Sequence, residues 1–118
     1  MKRYKVEVTR VDEYVIEIDE TIINQEWISE FEKFFWDVND LKDLASHLAI
    51  VQATEGKNSG MIEGFGHITR DGELPFSCED YDSNGVLLPE EERRKAEPGF
   101  NIKIRYEEEI DTYITELK

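Results

Sequence analysis

The chain has 118 residues, with 28 acidic and 14 basic side chains and a formal charge of -14. That excess works against direct contact with a nucleic-acid backbone or an anionic membrane, because both are met by basic surface. The length suits a single domain over residues 1–118. No apolar run approaches the roughly 20 residues of a spanning helix, no signal-type apolar segment follows Met1, and the lone Cys78 excludes an intramolecular disulfide, so a soluble cytoplasmic protein is expected.

Tyr4, Val6 and Val8 alternate with Lys5, Glu7 and Thr9, the pattern of a half-buried strand. Residues 11–19 repeat it through Tyr14, Ile16 and Ile18, with Asp12 and Glu13 marking either a turn or a bend in one longer strand. Charge is uneven here. Residues 1–10 hold Lys2, Arg3, Lys5 and Arg10 against Glu7, a net +3, which leaves -17 on the rest and suits either self-association or pairing with acidic strands.

Residues 24–56 hold the densest apolar and aromatic material and read as a helical hairpin. Asn24 is a good N-cap, Ile23 and Ile28 have the spacing of a hydrophobic staple, and Trp27, Phe31, Phe34, Phe35 and Val38 recur at helical period. Asp37 or Asn39 suits the second cap. Leu41, Leu44, Ala45, Leu48 and Val51 form the second stripe, and Gly56 is placed to end it. The short connection predicts antiparallel helices. Trp27, Phe31, Phe34, Leu44 and Leu48 are the expected core.

Residues 57–60 have loop composition, and residues 61–69 read as a strand interrupted by Gly64 and Gly66. Asp71-Gly72 predicts a two-residue hairpin turn, and Pro75 shortens the returning strand. Pro89 suits the first turn of a helix over residues 90–96, stopped by Pro98-Gly99. Phe100, Ile102, Ile104 and Tyr106 alternate as a strand. Residues 110–117 read as a strand or a short helix, Ile110, Tyr113, Ile114 and Leu117 fitting helical spacing better. The expected class is α+β, a mostly antiparallel sheet of four or five strands with an antiparallel helical pair packed on one face.

One stretch carries metal-ligand spacing. Asp80, Asp82, Asn84, Gly85 and Glu91 satisfy the calcium-loop pattern D-x-[DN]-x-[DN]-G-x5-E. Asp80, Asp82, Asn84, the Val86 carbonyl and both oxygens of Glu91 would supply six hard oxygen ligands to calcium. Against it, Asp71-Gly72 and Pro75 break the helix that should enter such a loop, and an Asx-rich turn around Asn84-Gly85 explains the same residues. Apart from this possible calcium ion no cofactor is expected. His47 is expected on the polar side of its helix, His67 on a strand, and Cys78 has no accompanying nucleophile signature, so enzyme activity is not expected.

The remaining candidates are the acidic runs, Glu90, Glu91 and Glu92, then Glu107, Glu108 and Glu109 with Asp111. They give either plain solvation or a carboxylate surface that imitates nucleic-acid phosphate in a basic protein cleft. EYVIEIDETIINQEWISEFEKFFWDVNDLKDLASHLA followed by GMIEGFGHITRDGELPF resembles small acidic phage and prophage proteins, through an alternating strand, an aromatic helix, a "DLA-x-H-L/I-A" helix and an "IEGFG…DG" hairpin over about residues 4–76. The resemblance implies a mobile-element origin, action inside a host cell, and an inhibitor of a host nucleic-acid-binding or defence protein. It brings no catalytic residues. The expected partner is a basic host protein bound through Glu90, Glu92, Glu107, Glu108, Glu109 and Asp111; a calcium- or small-ligand-binding module and a self-assembling homo-oligomer are the alternatives.

Overall fold

Tyr4, Val6, Val8, Tyr14, Ile16 and Ile18 keep one even-numbered register across Asp12 and Glu13, and the chain follows them as one strand, β1 (Arg3–Ile18). The structure, a computed structural model, describes residues 1–55 and 60–118. Two helices follow, α1 (Gln25–Phe34) and α2 (Leu41–Glu55). Three short strands come next, β2 (Met61–Ile62), β3 (Gly66–His67) and β4 (Thr69–Arg70), and then the long β5 (Phe100–Leu117). β1 pairs antiparallel with β5 from Arg3 opposite Leu117 to Ile18 opposite Phe100, and β4 joins the other side of β5 in parallel at Asn101 and Ile102. β2 and β3 form a separate hairpin. The class is α+β, but the sheet expected to hold four or five strands divides into one of three and one of two.

The division has a local cause. Gly64 and Gly66 hold φ of 88° and 92°, so residues 61–69 turn back on themselves instead of extending. A Cβ on Gly64 would sit 2.9 Å from the Phe31 ring, so the hairpin approaches α1 as closely as a bare backbone allows. Asp71 and Gly72 both take positive φ, the signature of a type I′ turn, and the returning arm is a single bridge between Arg70 and Glu73.

Asn24 caps α1, its side-chain oxygen accepting from the Trp27 N–H at 3.0 Å. The cap of α2 is Asp40, which accepts from the Asp43 N–H at 3.0 Å, and not Asp37 or Asn39 as expected. The helix stop expected at Gly56, and the loop expected over residues 57–59, lie outside the described residues. The helix expected over residues 90–96 is only a 3-10 turn, Glu90–Glu92. Beyond it the Arg94 N–H donates to Asp80 at 2.7 Å and the Glu97 N–H to the His67 carbonyl at 2.8 Å, which draws the backbone out of any helix.

The core gathers Phe31, Leu44, Leu48, Ile62, Phe65, Ile68, Phe100 and Ile102 between the helices and the sheet. Half-buried Trp27 stacks on Phe31 with centroids 5.3 Å apart and meets Phe100 edge-on at 5.4 Å. Phe34 departs from expectation: it is 77% exposed at the last residue of α1, and Phe35 and Trp36, just beyond the helix, take the ring contacts on Phe31 instead.

Residues 110–117, which fit helical spacing better, are strand, because they answer residues 3–10 rung by rung. This end of the β1–β5 ribbon runs past the helices as an arm. The Cα radius of gyration is 19.0 Å, against about 13.5 Å for a compact chain of this length.

Candidate functional site

The arm joins the body at a pair of irregularities in β5. Pairing slips between Val11 and Glu13 and again between Glu13 and Tyr14, so that residues near Arg105 and Glu108 have no direct opposite number. Glu108 takes φ of 56° there, and its N–H donates to Asp12 at 2.9 Å. Arg10 also clamps Asp12 through Nε at 3.1 Å and Nη2 at 3.0 Å. The Arg10 bond, and then the Glu108 N–H, hold the Asp12 carboxyl below its ordinary range.

The irregularity separates the three glutamates that the sequence presents as one run. Glu107 turns inward and accepts from the Tyr14 hydroxyl at 2.6 Å, with the buried Gln52 amide at 3.5 Å. Its Oε1 is buried without a hydrogen-bond partner among the described residues. Gln52 in turn accepts from Arg70 Nε at 2.9 Å, and Arg70 donates to the Gly60 carbonyl at 2.9 Å. Burial lowers the Arg70 pKa, opposed by the charges of Glu107 and Glu55, while burial and then the Glu107 bond push Tyr14 up. This polar chain ties β1, α2, β4 and β5 together where the arm begins, so Glu107 has a structural task. Nothing in the sequence separated it from its neighbours, because the bulge is a tertiary feature.

Glu108, Glu109 and Asp111 are exposed. Glu90, Glu91 and Glu92 are exposed on their 3-10 turn, and Glu90 lies beside Gly72, Glu73 and Leu74. The expected contact residues therefore sit on two elements. The charge as a whole is partitioned: residues 1–11 and 109–118 hold five basic and four acidic side chains, a net +1, so the rest of the chain carries -15.

Residues 80–91 close as a turn. Asp82 Oδ1 accepts from the N–H groups of Asn84 at 2.8 Å and Val86 at 3.0 Å, an Asx turn completed by Gly85 with φ of 78°. Tyr81 bridges Leu87. Asp80 is spent on Arg94, with one oxygen on its guanidinium at 3.0 Å and the other on its N–H. A 3-10 turn, Phe76–Cys78, precedes the loop where a calcium-binding hairpin has its entering helix. Among the described residues no three His, Cys, Asp or Glu side chains are grouped to hold a metal.

His47 is not on a solvated face as expected. It is half-buried against Trp36 with centroids 4.1 Å apart and stacks toward Phe65. His67 Nδ1 shares a 2.7 Å hydrogen bond with Ser77 Oγ. Cys78 is fully buried, and burial raises its pKa, the opposite of what a nucleophile needs.

No helix among the described residues is long and apolar enough to cross a membrane. Comparison with protein-family profiles, with curated proteins and with solved structures finds no match to this chain.

Proposed function

We propose that the chain is a non-enzymatic binding protein whose acidic body engages a basic surface of another protein. The observation that supports this reading is the partition of charge, -15 outside the arm against +1 within it. A field of that size steers a basic partner and repels nucleic acid itself. Glu90, Glu92 and Glu108 of the body, with Glu109 and Asp111 at the root of the arm, are the exposed carboxylates assigned to the contact, and the inward Glu107 holds β5 beside Glu108. A basic nucleic-acid-binding or defence protein of a host cell is the partner class, with the acidic body occupying the cleft that otherwise takes phosphate.

The test is association with basic nucleic-acid-binding proteins measured at two salt concentrations. The on-rate should fall about tenfold or more between roughly 50 and 500 mM salt, as screening shortens the reach of the field. Reversal of the five exposed carboxylates to lysine should weaken binding while far-UV circular dichroism stays unchanged. Binding that ignores both salt and the reversals would overturn the proposal.

A further inference from the structure

The arm is amphipathic, and no other described residue covers one face of it. Residues directly opposite in an antiparallel pair share a face. Tyr4, Val6, Val8 and Arg10 therefore lie with Glu116, Ile114, Thr112 and Ile110. The even-numbered residues of β1 continue this face into the body, where Tyr14, Ile16 and Ile18 pack on the core. Among the described residues, nothing packs on the core side of the sheet where it extends past the helices. Tyr4, Val6, Val8, Ile110 and Ile114 are 53–67% exposed there. The other face is more polar, with Arg3, Lys5, Glu7, Thr9, Glu109, Asp111 and Thr115 around Val11, Tyr113 and Leu117.

A lone two-stranded ribbon is marginal in water, so an apolar face nine rungs long needs a cover. The charges at its margins are already matched. Lys2 pairs with Glu116 at 2.8 Å at the tip, and Arg10 with Asp12 and the Ala53 carbonyl at the root. The result is an apolar centre with a neutralised polar rim, the layout of a protein interface. A basic partner gains nothing from this face. A second copy does: the arm, at +1, is the one region where two chains of net -14 meet without strong repulsion.

We propose that two copies of the chain associate through this face, arms packed antiparallel about a two-fold axis, with Tyr4, Val6, Val8, Ile110 and Ile114 of each arm against those of the other. The antiparallel arrangement sends the two acidic bodies to opposite ends. Nine rungs at about 3.3 Å and a width of about 10 Å give a flat footprint of roughly 300 Å² per copy, about 600 Å² in total and short of the roughly 1,000 Å² of a stable interface, so the association is weak and transient. The proposal does not rest on the acidic-partner reading, and each copy's body would remain open to such a partner.

The test is sedimentation equilibrium of the full chain from about 1 to 200 µM, a range that brackets micromolar binding. Wild type should pass from 13.9 kDa to twice that mass. Val6→Lys with Ile114→Glu places opposite charges on one rung, which keeps the ribbon paired but puts charge into the interface. It should weaken self-association by about 100-fold or more, whereas Thr9→Lys on the polar face should leave it unchanged. Salt separates this proposal from the acidic-partner reading: screening should strengthen the dimer and weaken the partner. A monomer throughout the range overturns the proposal, as does a dimer that survives the double substitution or that Thr9→Lys disrupts equally.

Discussion

Phe31 and Phe34 lie three residues apart on one helix, yet the first is 4% and the second 77% exposed. Phe31→Ala should cost about 3–5 kcal/mol in urea unfolding, from lost transfer energy and a cavity, while Phe34→Ala should stay within about 0.5 kcal/mol. At the root of the arm, Tyr14→Phe removes the donor to Glu107 and should cost about 1–3 kcal/mol, because it strips a half-buried carboxylate that already has one oxygen unpartnered. Asp12 sets a pH dependence. Its folded pKa is lowered, so its stabilisation is present above its ordinary value and is lost as pH falls through the folded one. Thermal melts of Asp12→Asn should therefore lose less stability than wild type on acidification below about pH 4.

Elements inherit these residue effects and add backbone constraints. β5 holds its course only by bending at Glu108, a non-glycine residue at φ of 56°. Glu108→Gly should be neutral or stabilising by up to about 1 kcal/mol, whereas Glu108→Val should cost about 1–2 kcal/mol, since a branched Cβ resists that conformation. The turn over residues 80–91 makes a separate prediction. Its carboxylates already close the turn and bind Arg94. Added calcium at about 1 mM should then leave the melting temperature unmoved; a rise abolished by Glu91→Gln would instead show a bound ion, through the mass-action stabilisation that any folded-state ligand brings.

Over the whole molecule, shape and charge divide along the same line. The 62 Å long axis belongs to a chain whose arm lies outside its core, and that arm is also where the negative charge vanishes. Small-angle scattering of the Val6→Lys, Ile114→Glu variant should give a radius of gyration near 19 Å, not the roughly 13.5 Å of a compact domain. A compact value would show the arm folded back, with its apolar face covered from within.

Much of this was written locally. The alternation of Tyr4 to Ile18, the Asn24 cap, the Asp71-Gly72 turn and the pairing of Phe31 with Leu44 and Leu48 in the core follow from side-chain period, capping chemistry and backbone preference, which act over a few residues. The α+β class and the charge excess follow from the same local reading. What the tertiary structure decided depends on partners far apart in sequence. Residues 110–117 are strand because residues 3–10 lie opposite them, and residues 93–97 leave the helix because Asp80 and His67 take their N–H groups. Glu107 is parted from Glu108 by a bulge that only the β1–β5 register creates. A backbone hydrogen bond is satisfied equally well by a neighbour or by a distant strand, and composition does not say which. Nor does it say that the apolar face of Val6 and Ile114 would project beyond the helices, which is where the proposed contact between copies lies.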